Sequence, residues 1–370
     1  MPETDRVLMV DGPGRVALHL EQARPLADGC FQVRSRYSGV SAGTELSFLK
    51  GTNPLLTGTW DTELGLFRPG SDGYPIRKLG YMQVGIVTAS RAAGVAEGAT
   101  VAMTYGHRSS YVGDPLSDRV VVLPADLDPL LGIYAAHMGP ICANGLLHAA
   151  ADLYGTDVRT LGEGVRGRRV VITGAGVVGL VTALFARRHG AAETVLVDPT
   201  HQRRAAAEAL GFEALDPHTA DAAVELKTRW RHGPADRGAD VAFQCRGRSA
   251  DLGLALRLLR PQGAVIDLAF YPSGADDVHL GEEFHHNGLA IRCAQIGRVP
   301  RGLAHSWDRE RLSVATIDLL RAEGDAIIQH LVTDIVPFEK APALFADLAA
   351  RRRQTLQAVL EFDDVVRQAR

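Results

Sequence analysis

Cysteine is scarce: there are four in 370 residues, at positions 30, 142, 245 and 293. Spacing this wide excludes a disulfide framework and a cysteine-built structural zinc site. Neither charge sign is in excess, since the formal net charge is −3, so nothing points to nucleic acid or an anionic membrane as a partner. No apolar run reaches transmembrane length. The opening MPETDRVLMV has no charged-then-apolar leader pattern, and a cytoplasmic protein is expected. There is no internal repeat and no low-complexity linker. What remains is 46% hydrophobic and 22% charged, an ordinary globular composition at a length that suggests two domains.

The most informative stretch is Arg169–Asp198, RVVITGAGVVGLVTALFARRHGAAETVLVD. Val170–Thr173 is a β-branched apolar run and reads as a buried strand. Gly174-Ala175-Gly176-Val177-Val178-Gly179 follows, then a helical segment from Leu180 to Arg188, a stop at Gly190, and a second strand over Thr194–Val197 that ends at Asp198. Strand, glycine turn, helix, strand and terminal acid make one βαβ unit with the dinucleotide fingerprint. Gly174 permits the tight turn, Gly176 lets a pyrophosphate approach the backbone, and Gly179 lets helix and strand pack closely. The helix start at Val177 and Val178 offers free N–H groups to the diphosphate. Asp198 would accept from both ribose hydroxyls and repel a 2′-phosphate, so NAD is the expected cofactor.

Around this unit the pattern falls into two parts. Arg6–Val10, Arg15–Leu20, Phe31–Arg36, Leu79–Thr88, Gly98–Met103 and Arg119–Leu123 read as strands of a mostly β region. Gly51–Lys78 reads as a long irregular loop and Tyr105–Asp118 as a polar one. Leu127–Asp152 reads as two helices meeting near Gly139-Pro140. Strands over Asp240–Cys245, Ala264–Ala269 and Leu289–Gln295 alternate with helices over Gln202–Leu210 and Ala250–Leu259, which predicts a doubly wound parallel sheet. Helices over Ser306–Arg321 and Ala341–Ala350, with strands over Val332–Val336 and Leu356–Phe362, are expected to pack back on the N-terminal region. The expected division is therefore 150–297 for the dinucleotide-binding domain, with 1–149 and 298–370 forming the other. The fold class is α/β.

This order of parts resembles the medium-chain dehydrogenase/reductase superfamily. The resemblance rests on SGVSAGTE, GYMQVGIV, GAGVVG with Asp198, and DVAFQCRG followed by LRLLRPQGAVIDLAF. The SGVSAGTE loop and the LGYMQVG strand look most like the bacteriochlorophyllide a dehydrogenase-like branch. The resemblance implies a Rossmann domain beside a mostly β, GroES-like catalytic domain. It also implies that Arg203 reaches the adenosine ribose, that Cys245 and Arg246 line the cofactor crevice, and that Leu268-Ala269-Phe270 runs past the nicotinamide. Cys293-Ala294 would then bond the carboxamide through the backbone. Pairing of Leu289–Gln295 across a twofold axis would give a homodimer.

The departures from the superfamily bear on the chemistry. Zinc-dependent members carry a loop cysteine where this chain has Ser41, and a Gly-His-Glu where it has Gly80-Tyr81-Met82. Serine and tyrosine do not replace a thiolate and a neutral imidazole, so no catalytic zinc is expected. The alternative is a rearranged site on Glu45, His107 or His137. Without zinc, a side chain must take the hydroxyl proton. Thr44 stands at the place of the superfamily's proton-relaying hydroxyl and is otherwise a helix N-cap. Glu45 is a base or a first-turn helix acid. Tyr81 contacts substrate or packs. His107, in a glycine-flanked loop, is a general base or a solvated residue. Ser41, His137 and Asn144 are candidate substrate contacts. His285-His286 reads as a surface helix end and not a metal site, since adjacent histidines do not share a helix face. The leading expectation is an NAD-dependent enzyme interconverting a secondary alcohol and a ketone on a sugar, cyclitol or other polar small molecule. The other readings are a zinc-independent enoyl or quinone reductase and a non-catalytic NAD-binding scaffold.

Overall fold

The computed structural model describes residues 4–71, 73–272 and 274–363. In chain order, β1 (Thr4–Gly12), β2 (Arg15–Gln22) and β3 (Phe31–Gly39) precede helix α1 (Ala42–Leu49). Strands β4 (Gly58–Asp61), β5 (Leu66–Pro69), β6 (Gln83–Ser90), β7 (Thr100–Met103), β8 (Ser110–Gly113) and β9 (Val121–Val122) follow. Next come α2 (Met138–Tyr154), β10 (Arg169–Thr173), α3 (Val177–Arg188), β11 (Glu193–Val197), α4 (His201–Ala209), β12 (Glu213–Leu215) and α5 (Ala222–Arg229). The chain continues through β13 (Arg231–Gly233), β14 (Asp236–Arg237), β15 (Ala239–Gln244), α6 (Ser249–Leu258), β16 (Leu259–Asp267) and β17 (Ala290–Cys293). It closes with α7 (Arg309–His330), β18 (Val332–Pro337), α8 (Ala341–Ala349) and β19 (Gln357–Glu361).

The chain divides into two compact units, Met1–His137 with Val332–Arg370, and Met138–Leu331. The second holds a six-stranded sheet in the order β12-β11-β10-β15-β16-β17, every pair parallel. Near-continuous apolar strands such as Ala239–Gln244, buried along their whole length, are what a parallel sheet covered on both faces requires. Val171, Val195, Trp230, Leu256, Leu259 and Val265 share its core. Neighbouring strands β11-β10-β15 reverse direction of winding at β10, the topological switch where such sheets bind ligands.

The first unit is built on a seven-stranded sheet, β18-β19-β3-β6-β7-β9 with β8 added on β3. Leu8, Val10, Leu46, Leu49, Phe338, Phe345 and Leu360 pack beside it. The returning strands β18 and β19 do join the N-terminal region, through the antiparallel pairing of β19 with β3. Both expected folds, the Rossmann sheet and the mostly β GroES-like unit, are therefore present.

Several boundaries differ from the expectation. Helices α2 and α7 belong to the dinucleotide unit, which moves the limits from 150–297 to 138–331. Close packing between them accounts for this: a Cβ on Gly139 would lie 2.1 Å from Thr316 Cγ2, so glycine is what lets the two helices touch. The expected break at Gly139-Pro140 falls earlier, between a 3-10 turn over Pro129–Tyr134 and the start of α2 at Met138. Pro140 sits in the first turn, where the missing N–H has no intrahelical acceptor anyway. Gly145 does not interrupt α2; its bare Cα makes room for the Leu268 side chain. The 51–78 segment is not wholly irregular, since β4 and β5 pair as a hairpin, and the 105–118 loop contributes β8 to the sheet.

Candidate active site

In the dinucleotide unit the glycine turn is shaped by backbone contacts. Gly174 has φ +101, a conformation costly for any residue with a Cβ. A Cβ on Gly179 would lie 1.8 Å from the Gly174 carbonyl oxygen, so α3 starts against the turn only because that position is bare. Around Gly176 the situation is opposite: only the Arg203 guanidinium, 3.8 Å away, comes near the place a Cβ would occupy. That space is the cradle a diphosphate needs. The first helical N–H to find an acceptor is that of Leu180, on the Gly176 carbonyl (2.9 Å), which leaves the helix start at Val177, Val178 and Gly179 for an anion.

Asp198 has a second duty beyond the one expected of it. The residue is fully buried. Its carboxylate accepts from the backbone N–H of Ala175 (2.9 Å) and of Thr200 (2.7 Å), and so ties the glycine turn to the end of β11. Arg203 Nη1 lies 3.6 Å from Oδ2. Each carboxylate oxygen keeps a lone pair after these bonds. Cys245 donates its N–H to the Thr173 carbonyl (2.8 Å), and burial pushes its thiol well above the usual range, so it is not a thiolate nucleophile. Arg246 has its Cβ against the glycine turn and its guanidinium on Asp251 (3.0 Å). The Ala269 N–H is taken by Asp267 (2.9 Å), leaving its carbonyl as the group to offer.

Asn144, an expected substrate contact, has a different role. It is 0% exposed, and its amide donates to the carbonyls of Ala294 (3.2 Å), Gln295 (3.4 Å) and Arg298 (3.2 Å). It clasps the backbone beyond β17. His148, one turn further along α2, is held neutral by burial, its pKa lowered to about 4.

In the β unit the polar residues of the sequence come together, but not as a solvent-facing set. His107 is not the open-loop general base that its neighbours in sequence suggest. It is 1% exposed, with Nε2 on Glu45 Oε2 (2.8 Å) and Nδ1 on Ser38 Oγ (2.6 Å). Gln83 Nε2 donates to Ser38 Oγ (3.0 Å). The Ser38 hydroxyl, already accepting there, has its proton left for Nδ1. The imidazole then carries its proton on Nε2 and donates it to Glu45, with every donor matched to an acceptor. Both nitrogens are engaged and the ring is sealed off, so His107 cannot touch a substrate. Glu45 is sealed likewise, at 1% exposure, its second oxygen accepting the Ser41 N–H (2.8 Å).

That last bond organises the loop. Ser41 is the N-cap of α1; Thr44 is the third helical residue and not the cap, and its N–H, with that of Glu45, bonds the Ser41 carbonyl. Ser41 Oγ is hydrogen-bonded to the Tyr81 hydroxyl, and the Tyr81 ring lies 4.5 Å from that of His137. Gly80, at φ +92, makes this arrangement possible: a Cβ there would lie 2.6 Å from His107 Nε2. Sequence reading missed Ser38 and Gln83. The available signal was a glutamine inside an apolar strand, a residue seldom buried without a polar partner. His285 and His286 are outside the core of their unit, and among the described residues no group of three His, Cys, Asp or Glu side chains is arranged to hold a metal ion.

A parallel Rossmann sheet with a glycine cradle, next in the chain to a GroES-like β unit, defines a dinucleotide-dependent dehydrogenase fold. Known proteins agree with this. Residues 177–307 match the zinc-binding dehydrogenase family. D-guloside 3-dehydrogenase of Shigella flexneri is 25% identical over 340 residues, covering 90% of this chain and 93% of that one. An alcohol dehydrogenase of Thermotoga maritima superposes with a TM-score of 0.74 at 17% identity, over 98% of this chain and all of the other. A zinc-binding dehydrogenase of Sinorhizobium meliloti, solved bound to NADP, gives 0.71 at 19% identity over 97% and 99% of the two chains. The chain thus has the fold of these medium-chain dehydrogenases.

Proposed function

We propose that the protein is an NAD-dependent oxidoreductase that interconverts a secondary alcohol and a ketone on a sugar, glycoside or similar polyhydroxylated molecule, without a catalytic zinc. The observation that carries this reading is the donor set of the β unit. At the loop positions where zinc-dependent members place a thiolate and an imidazole, this chain has two hydroxyls bonded to each other, Ser41 and Tyr81. The next residue, Met82, is a fully buried thioether, and the nearby imidazole of His107 has no nitrogen to spare. Such donors do not fit a zinc ion. A hydroxyl-lined site suits hydroxylated substrates, in keeping with the guloside dehydrogenase likeness.

The residues do fit a nicotinamide dinucleotide, which when bound accepts or supplies the hydride. Gly174, Gly176, Val177, Val178 and Gly179 would hold its diphosphate, and Asp198 with Arg203 the adenosine ribose. Cys245, Arg246 and Ala269 would border the remainder. Ser41 and His137 would contact substrate, with Thr44 and Tyr81 handling the hydroxyl proton and Glu45 and His107 supporting them. Edge-to-edge pairing of β17, the terminal strand of its sheet, would give a homodimer.

Asp198 favours NAD(H), whereas Arg203 beside it favours a second reading, NADP(H), by offering a partner to a 2′-phosphate. Fluorescence titration with NADH and NADPH separates them: NADH is expected to bind at least tenfold more tightly, and Asp198→Asn to narrow the gap. Turnover is tested with NAD and a panel of polyols and methyl glycosides. Reduction of an enone with no oxidation of any alcohol would contradict the reading, as would tight dinucleotide binding with no turnover at all.

A further inference from the structure

Resting on that reading, we infer that the Ser41–Tyr81 hydroxyl pair is the proton-transfer device of the site: Tyr81 exchanges the proton with the substrate oxygen, and Ser41 holds and refills it. The Glu45–His107 pair, the more obvious acid and base, acts only by fixing Ser41. Access separates Tyr81 from Glu45 and His107. Glu45 and His107 are each 1% exposed, and all four of their hydrogen-bonding atoms already have protein partners. A group so enclosed does not reach a substrate oxygen, which must come within hydrogen-bond distance of the acid or base. Tyr81, in contrast, is only partly buried and ends in a hydroxyl bonded to Ser41 Oγ.

The buried pair reaches this hydroxyl through the main chain. Glu45 accepts the Ser41 N–H, and the Ser41 carbonyl accepts the N–H groups of Thr44 and Glu45. Ser41 is thus pinned at both its amide and its carbonyl, which fixes its hydroxyl against that of Tyr81. Gly80 supplies the other half. Its bare Cα lets the backbone cross the His107 ring and brings Tyr81 over Ser41. The imidazole therefore serves as a floor for the Gly80-Tyr81 segment as well as a donor to Glu45.

The step balances simply. With a reduced nicotinamide bound to supply the hydride, ketone reduction would add that hydride to carbon and a proton to oxygen. The proton comes from the Tyr81 hydroxyl, whose O–H bond breaks as the new O–H forms. The phenolate takes the Ser41 proton, and solvent restores Ser41. Alcohol oxidation runs the same transfers in reverse, with the phenolate as base.

The assignment is tested on the full-length protein with a methyl hexopyranoside and its keto form, following kcat and KM across pH, with NADH affinity measured separately. Tyr81→Phe is expected to lower kcat at least 100-fold, within the range for loss of a general acid, with NADH affinity unchanged and the alkaline limb of the kcat profile for oxidation gone. Ser41→Ala is expected to keep the limb but move it to higher pH, since the phenolate loses a hydrogen-bond donor. His107→Gln is expected to lower kcat while leaving the limb in place, as befits a positioning residue. Retention of kcat within threefold in Tyr81→Phe overturns the assignment alone. So does a limb that survives in Tyr81→Phe and vanishes in His107→Gln. Wild-type protein that turns over no alcohol overturns the functional reading and this assignment with it. The pH limb of the wild type and its shift in Ser41→Ala serve as the test should Tyr81→Phe fail to fold.

Discussion

At Gly174–Gly179 the proposed dinucleotide site is shaped by removing side chains; at Ser38–Glu45 the proposed hydroxyl site is shaped by burying them. The glycine turn needs bare Cα atoms so that helix, carbonyl and incoming anion can share a small volume. Everything it uses lies within one βαβ segment, the acid at Asp198 included. The hydroxyl loop instead needs a floor and a pin, and these come from far away in the chain. His107 is 62 residues from Glu45 and 69 from Ser38, and Gln83 is 45 from Ser38. Local backbone geometry makes the first kind of site; tertiary packing makes the second. The two kinds should fail differently when disturbed.

The sharpest way to break the contrast is to cut the pin. Glu45→Ala leaves the His107 Nε2–H buried without its acceptor and the Ser41 N–H unpaired. Each buried donor left without its acceptor costs about 1–3 kcal/mol, and the loss of both partners is what urea unfolding of the variant is expected to show, together with loss of turnover. Stability unchanged within about 1 kcal/mol, the net worth of an ordinary hydrogen bond, would mean that the pair is not the floor described here.

Gly179→Ala should act on the other region with a smaller effect on stability. The added methyl meets the Gly174 carbonyl oxygen at 1.8 Å, so α3 must shift. Overpacking of this kind costs about 1–3 kcal/mol. The larger consequence is expected in ligand binding, with NADH affinity falling at least tenfold by fluorescence titration. An unchanged affinity would show that the turn is not the diphosphate site.

The smallest effect concerns pH. His148, on the same helix as Asn144, has its pKa lowered to about 4 by burial first and by Arg292 second, against an ordinary value of 6.5. The folded protein thus binds this proton less readily than the unfolded chain. Its contribution is complete above pH 6.5 and is lost as pH falls from 6.5 toward 4. The melting temperature is expected to drop by a few degrees more over that window in the wild type than in His148→Phe. Identical pH dependence in the two would show that His148 has no part in it.

What could be read from the sequence follows the same division. The Rossmann strands, the glycine roles and the acid at 198 depend on local period and on the conformational freedom of glycine, and both are visible in one stretch of chain. Asp198 already shows the limit: its place at the end of the second Rossmann strand was legible, but its bonds to Ala175 and Thr200 were not. His107 shows it more plainly. A histidine between glycine and arginine in a polar loop looks solvated, and only the pairing of β3 with β6 brings Ser38 and Gln83 together to enclose it. The role of Asn144 is hidden for a related reason, since an amide inside a helix does not announce which distant backbone it will hold. Helices α2 and α7 fall outside the expected limits because small residues such as Gly139 read as interruptions in sequence and are contacts in the fold.

The central claim is that side-chain hydroxyls, and not a metal ion, manage the proton in this protein. The direct measurement is metal content by mass spectrometry on purified protein, paired with turnover before and after exhaustive chelation. Less than roughly 0.1 equivalent of zinc or any other divalent metal, the background expected of weak surface sites, with turnover unchanged by chelator, is the predicted result. One equivalent of zinc whose removal abolishes turnover and whose return restores it would contradict the account.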